Sequence, residues 1–307
     1  MMGAMTTTAE HVGEHGEQVG AELVAVITAV QNATPLVLTT ADGRLLPSGP
    51  LVPGRGTMQA NLRAWVTRQT GYELGYVEQL YTFADRSRGP RPVLEVSYLG
   101  LTTVSSVTPG WRSWLDYFPW EDQRSGDDGA LATLAPALER WAEEDPEQAE
   151  RRRLRVAVTF GLHGQPWPPE LTLQRYELLY EAGLVPEAHG GAPTPGTGQP
   201  MDRDHRRILA TGIGRLRAKI QYRPVVFEML PQSFTLGRLQ TTVEAVAGQL
   251  LHKQNFRRLV EQQDLVEETG EVDSSTGGRP AKLVRFRRAV LDEREAAGTK
   301  LPIARSR

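Results

Sequence analysis

Residues 234–288 read FTLGRLQTTVEAVAGQLLHKQNFRRLVEQQDLVEETGEVDSSTGGRPAKLVRFRR, and their order of apolar periods, breakers and basic residues decides the fold of the C-terminal third. Thr235 can cap a helix, in which Leu236, Leu239, Val243 and Val246 recur at helical spacing as one buried stripe. Gly248 ends that helix. A second helix starts near His252 with Phe256, Leu259 and Val260 inward, so the short turn makes a helix-turn-helix corner. Turning about 100° per residue from Phe256 leaves Gln254 and Arg258, then Asn255, Arg257 and Glu261, on the outer side. Two strands follow, Leu265 to Glu268 and Ala281 to Arg288, joined by a tip rich in Gly, Ser and Asp. In the second, Val284 and Phe286 face one way while Arg285 and Arg287 face the other.

Helix, turn, basic helix and basic hairpin in this order are the parts of a DNA-binding winged helix. Arg pairs bidentately with guanine and Asn or Gln with adenine, so amides and guanidinia near a helix N-terminus suit the major groove. The DNA-facing set is accordingly Thr235, Lys253, Gln254, Asn255, Arg257 and Arg258, with Arg279, Lys282 and Arg285 placed where a wing meets phosphates. Charge is partitioned to match. Residues 201–307 hold 20 Lys and Arg against 13 Asp and Glu, a balance of +7, whereas residues 1–200 hold 15 against 24, a balance of −9. The near-neutral total of −2 conceals an acidic front and a basic back.

With 307 residues, 39% of them apolar, the chain suits two domains. No run approaches the ~18 apolar residues of a membrane span, and the start MMGAMTTTAEHVGEHGEQ lacks the basic and apolar regions of a secretory signal. The expectation is a soluble cytoplasmic protein. Absence of cysteine excludes disulfides, thiolate metal sites and cysteine nucleophiles. Sequence motifs for a nucleophile elbow, a phosphate-binding loop ending in Gly-Lys-Ser/Thr and a His-Glu-x-x-His metal helix are also absent.

Ahead of the C-terminal region, residues 1–20 read as a tail, in which His11 and His15 stand four apart but in a Gly-containing setting unsuited to a rigid metal site. Apolar runs at Glu22 to Val30 and Pro35 to Thr40 predict strands, joined by a turn at Gln31 to Thr34. Met58, Leu62, Trp65 and Val66 predict a helix ending at Gly71, followed by strands at Glu78 to Ala84 and Pro92 to Leu101. Trp111 to Gly129, aromatic and then acidic, reads as a long loop able to close a pocket or a dimer contact. Leu134, Leu138 and Trp141 mark a helix, and the charged run from Glu143 leads to a strand at Arg155 to Gly161. Pro186 to Pro200 reads as an exposed flexible insertion, and Leu209, Ile213, Leu216 and Ile220 as a helix joining the halves. Gly212 and Gly214 within it form only a bare GxG and are assigned to packing.

The segment GRLLPSGPLVPGRGTMQANLRAWVTRQTGYELGYVEQLYTFADRSR, continued by VLEVSYLGLT, resembles a Nudix domain. Together with DHRRILATGIGRLRAKIQYRPVVFEMLPQSFTLGRLQ, NFRR and GGRPAKLVRF, it resembles the Nudix-related (NrtR-like) transcriptional regulators over roughly Glu22 to Arg288. The resemblance implies an α+β chain: a Nudix-like α/β/α sandwich with a mixed sheet in residues 21–224, including the insertion at 186–200, and a winged helix-turn-helix in residues 225–307. It also implies a nucleotide effector such as ADP-ribose, control of genes of NAD or sugar metabolism, a palindromic double-stranded operator and a homodimer. Arg86 and Arg88 are candidates to pair a diphosphate, and Tyr81, Phe83 and Tyr98 to stack on a base, unless Tyr81 and Phe83 share one strand face and are core.

The hydrolase pattern of the family, REUXEEXGU, is not kept. With its glycine set on Gly71, Ala64 and Trp65 stand at the Arg and Glu positions, Arg68 and Gln69 at the metal-binding glutamates, and Gly56 at the upstream glutamate. No Asp or Glu occurs from Gly43 to Tyr72, where about three or four would be usual. Magnesium needs carboxylate oxygens, so the expectation is no catalytic residue, no metal site and no cofactor, with the fold retained as a binding pocket. The alternative is a pyrophosphatase that recruits carboxylates from elsewhere, such as Glu73 or Glu78.

Overall fold

The computed structural model describes residues 20–51, 57–85, 93–106, 108–126, 129–189, 194–274 and 280–290. The N-terminal tail with His11 and His15, and Gly56, Arg86, Arg88 and Arg279, lie outside the described residues. The front half is organised by strand β1 (Gly20–Gln31), in which Leu23 to Val30 are all buried. Such a run is apolar without alternation because both faces are covered. Leu23, Ala25, Ile27 and Ala29 join one core, while Val24, Val26 and Val30 join another on the opposite face. A two-residue turn at Asn32 and Ala33, both at positive φ, returns the chain into β2 (Thr34–Leu38). Strand β3 (Ser48–Pro50) pairs with β1, helix α1 (Met58–Thr70) follows, and β4 (Val77–Asp85) and β5 (Val93–Leu101) extend the sheet on its other side. With β6 (Trp111–Ser113) the order is β4-β5-β1-β2-β6, β1 and β5 being parallel and the other pairs antiparallel.

Helix α1 covers one face through fully buried Leu62 and Val66 and stops at Gly71, whose φ of 73° a side chain would resist. The opposite face carries α2 (Gly129–Glu143), α3 (Ala149–Phe160), α4 (Thr172–Glu181), the short α5 (Pro186–His189) and α6 (His205–Ile220). Helix α6 lies so close to the sheet that a methyl on Gly212 would press on Val26. This is the expected α/β/α sandwich, with four differences in detail.

Residues 155–161 are not a strand but the end of α3: Val156, Ala157, Thr159 and Phe160 are buried on one helical face, and Gly161 closes the helix at φ 66°. Helix α4, where the sequence predicts no element, carries its buried side in Tyr176, Leu178 and Leu179. Trp111, Trp114, Tyr117, Phe118 and Trp120 are not a loop lid; all are core, and the Tyr117 hydroxyl donates to the Gly43 carbonyl at 2.6 Å. The described part of 186–200 is likewise built in. Glu187 pairs with fully buried Arg206 at 3.1 Å, and the Thr197 carbonyl accepts from the same guanidinium.

The C-terminal part follows its expected order. After the Val225–Met229 turn, β7 (Phe234–Thr235) leads into α7 (Leu236–Ala247), then α8 (Lys253–Gln262) and the hairpin of β8 (Val266–Asp273) and β9 (Ala281–Phe286). The three strands form a sheet in the order β7-β9-β8, and β8 is longer than the sequence suggests. Phe227, Phe234, Leu239, Val260 and Val284 form its core, and Phe286 stacks on Phe227 with centroids 4.2 Å apart. Leu259 departs from expectation: it is 49% exposed, and α8 packs instead through Phe256 and Val260, one turn apart.

Candidate nucleic-acid interface

The outer face of α8 follows from how the corner is built. The Thr235 hydroxyl accepts from the Arg238 amide at 3.1 Å and starts α7, and Gly248 at φ 70° ends it. Thr235 thus acts first as a cap. Beyond the turn, the Leu251 amide donates to the Glu244 carboxylate at 2.9 Å, which Gln240 also reaches at 2.8 Å, so the lead into α8 is tied back to α7. With Phe256 and Val260 turned inward, Lys253, Gln254, Asn255, Arg257 and Arg258 are all exposed. Among the described residues, none of Lys253, Arg257 and Arg258 has an ion-pair partner, and the N-cap residue His252 makes no side-chain cap. Free amides at a helix N-terminus, beside three cations that have no ion-pair partner among the described residues, are chemically suited to meet an anion.

The wing is less free. Lys282 pairs with Glu268 and Arg285 with Glu267, each at 2.7 Å, across the β8–β9 ladder. Both pairs are largely solvent exposed, so each contributes about 0–1 kcal/mol and can be displaced by a phosphate.

Of the five residues expected at the effector pocket, Arg86 and Arg88 lie outside the described residues, and Tyr81, Phe83 and Tyr98 are not brought together. Tyr98 is fully buried in the core between the sheet and α1, where burial pushes its phenol pKa up; it offers no ring face to a base. Phe83 is partly buried against the core on the other side of the sheet. Tyr81 is 56% exposed, because β4 carries an irregularity between Gln79 and Thr82 that breaks alternation, with the Ser97 hydroxyl donating to the Tyr81 carbonyl at 2.6 Å. Tyr81 and Phe83 therefore do not form one buried strand face.

The residues of α1 do not fit a magnesium site: Ala64, Arg68 and Gln69 are exposed and offer no carboxylate, and Trp65 is partly buried. Glu78 is already satisfied by Lys219 at 3.0 Å and the Tyr76 hydroxyl at 2.8 Å. Glu73 is exposed, and its carbonyl accepts from Thr102. Among the described residues no cluster of three His, Asp or Glu side chains is placed to hold a metal ion, and no helix is long and apolar enough to cross a membrane.

One constellation escaped sequence reading. Glu121, Arg175 and Arg217 are all fully buried; Arg175 donates to both carboxylate oxygens of Glu121 at 2.5 and 2.9 Å, and Arg217 donates to one of them. Both guanidinia lie over the Trp167 ring, at 4.3 and 5.3 Å. Separations of 54 and 96 residues leave no local pattern to find, and the one hint is an acidic residue set directly against an aromatic run.

Residues 226–286 match the family model of the NrtR DNA-binding winged helix domain. The chain is 37% identical over 83 residues to the ADPR-responsive transcriptional repressor NtrR of Acinetobacter baylyi, a stretch covering 27% of this chain and about a third (33%) of that repressor. Among solved structures, Shewanella oneidensis NrtR complexed with a 27mer DNA superposes with a TM-score of 0.52 at 19% identity, covering 89% of this chain and 95% of that one. A MutT/nudix family protein from Enterococcus faecalis gives a TM-score of 0.51 at 15% identity, covering 88% and 89%. These likenesses establish an α+β fold in which a Nudix-like sandwich precedes a winged helix.

Proposed function

We propose that this chain is a DNA-binding transcriptional regulator whose Nudix-like half binds a nucleotide effector of the ADP-ribose type without cleaving it. The observation that carries the reading is the outer face of α8, where two amides and three cations without an ion-pair partner among the described residues stand exposed at a helix-turn-helix corner. In this reading Gln254 and Arg258 meet base edges, Lys253, Asn255 and Arg257 flank them, and Lys282, Arg285 and Arg279 grip the phosphate backbone. The relatives lend support: one is named as ADPR responsive and another was solved with DNA. Two copies presenting their α8 helices about 34–36 Å apart would read a palindrome.

The test is fluorescence anisotropy with duplexes from upstream of the gene and its neighbours, against a random duplex of equal length, with and without ADP-ribose. Specific binding that ADP-ribose alters supports the proposal; equal affinity for both duplexes at every salt concentration removes it. Catalysis is tested separately. ADP-ribose should raise the melting temperature while a magnesium-containing incubation releases no AMP, and magnesium-dependent AMP release would mean that the hydrolase reading holds instead.

The wing makes a further measurable prediction. Converting Glu267 and Glu268 to Gln frees Arg285 and Lys282 from their partners, so affinity for all duplexes should rise together. The slope of log K against log salt should stay close to that of the parent, because both cations already neutralise phosphates once DNA displaces the carboxylates. An unchanged affinity would show that the two cations do not reach the backbone.

A further inference from the structure

Helix α7 belongs to two cores at once. Near its start Leu239 joins the winged-helix cluster, whereas Ala245 and Val246 near its end are buried in the large cluster over the front sheet. The end of α7 and the corner that follows are fastened to the front half by three hydrogen bonds. The Gln123 amide donates to the Gly248 carbonyl at 2.8 Å, and the Gln249 side chain donates to the Trp167 carbonyl at 3.3 Å. Arg217 donates through Nε to the Val246 carbonyl at 2.8 Å and through Nη2 to the Glu121 carbonyl at 3.1 Å. A helix leaves its last carbonyls without internal partners, and a cation is favoured there; Arg217 supplies both the donor and the charge. Arg217 is itself held in place, fully buried, by the Glu121 carboxylate. The fit leaves no slack: a methyl on Gly248 would collide with the Glu121 carbonyl and with the Arg217 guanidinium.

We infer that Arg217, held by Glu121, is a positioning residue for DNA recognition, clamping the Gly248 corner to the front half and so fixing the direction in which α8 points. The inference rests on the DNA-binding reading of α8, and it makes the front half part of the reading head. A shift of α6 or of residues 121–123 against the sheet would turn α8 directly, without a hinge between the halves.

Substituting Arg217 directly risks unfolding, since it strands a buried carboxylate, so the corner is tested with Gly248→Ala and a control of matched strain. Gly71 also ends a helix in the left-handed region, at φ 73° against 70°, but has nothing within 4 Å of the position a methyl would take. Gly71→Ala therefore carries the same backbone strain without touching the corner. Because the chain lacks cysteine, spin labels can be placed at Ala132→Cys on α2 and Glu261→Cys on α8, both exposed. The otherwise unsubstituted doubly labelled protein should show one narrow distance distribution, which Gly248→Ala shifts or broadens and Gly71→Ala leaves alone.

On DNA, Gly248→Ala should lower affinity for the specific duplex by about tenfold or more while that for random duplex stays within about twofold, because misaimed base contacts are lost and charge is kept. If Gly248→Ala does not fold, Gln249→Ala removes only the tether to Trp167 and should move both readouts in the same direction by less. Identical distance distributions and identical specific affinity for the corner variant and Gly71→Ala would overturn the inference. Should the unsubstituted protein bind no DNA, the regulator reading fails, and the label distances still decide whether the clamp exists.

Discussion

Replacing Glu121 by Leu is expected to remove about 3–5 kcal/mol of unfolding free energy, the loss typical of breaking a buried ion pair from one side. The whole stability of a domain is about 5–15 kcal/mol, so the variant should melt far below the parent or fail to accumulate folded. The effect is large because one carboxylate serves two guanidinia. Arg175 and Arg217 are fully buried, and without Glu121 they keep backbone carbonyls, Thr172, the face of Trp167 and, for Arg217, the charge of Asp122, which already pairs with Arg124. Removing all three charges together is a different case. A triple change of Glu121 to Leu and both arginines to Met should recover much of the loss, since hydrophobic replacement of a buried charge cluster is often close to neutral. Urea titration of the parent, single and triple variants checks both statements; a single variant within 1 kcal/mol of the parent, a threshold far below the loss expected here, would show that the charge cluster does not stabilise the fold.

The same carboxylate sets an acid limit. Burial alone would push Glu121 up, but the charges of Arg175 and Arg217 and their hydrogen bonds outweigh it and hold the group below its ordinary value of 4.5. A depressed carboxylate contributes fully above the unfolded value and loses its contribution as pH falls through the folded one. Stability should therefore fall with pH below 4.5, and Glu121→Gln should flatten that limb by up to one proton.

What the sequence made legible is what is encoded locally. Helix α7 is visible because its cap, stripe and terminal glycine lie within 14 residues, from Thr235 to Gly248, and α1 ends at Gly71 for the same reason. Strand β1 is visible because burial on both faces leaves an unbroken apolar run. Reading fails where burial is decided by distant partners. The end of α3 shows apolar residues in a spacing that suits either period, and only the neighbouring helices select the helical one. The aromatic run at 111–120 looks like a lid because nothing within it announces that Trp111 joins the core under α1 while Trp114 to Trp120 join the core on the opposite face. Residue type alone makes Tyr98 a candidate to stack on a base, whereas strand pairing places it under α1. Leu259 shows the opposite error: an apolar residue left outside, next to the cations expected to meet DNA.

The double replacement Gln254→Ala with Arg258→Ala should have the largest effect on DNA recognition. Each base contact is worth about 1–3 kcal/mol, so independent contacts would sum to about 2–6 kcal/mol of lost affinity for the specific duplex. The two side chains stand one helical turn apart on α8 and can share a base step, so the double loss should fall short of the sum of the single losses. Affinity for random duplex should fall far less, because Arg257, Lys253 and the wing cations still neutralise phosphates and Gln254 carries no charge. Lys282→Ala supplies the contrast. It should weaken specific and random duplexes alike and lower the salt slope by about 0.9. The difference between the two patterns separates base reading from backbone attachment, and it is measured by anisotropy titrations of each variant at several salt concentrations. If the α8 pair and Lys282 proved indistinguishable on the two duplexes, the α8 pair would be one more basic surface, and base reading would have to lie in Lys253, Asn255 or Arg257, the other exposed members of the expected DNA-facing set on α8.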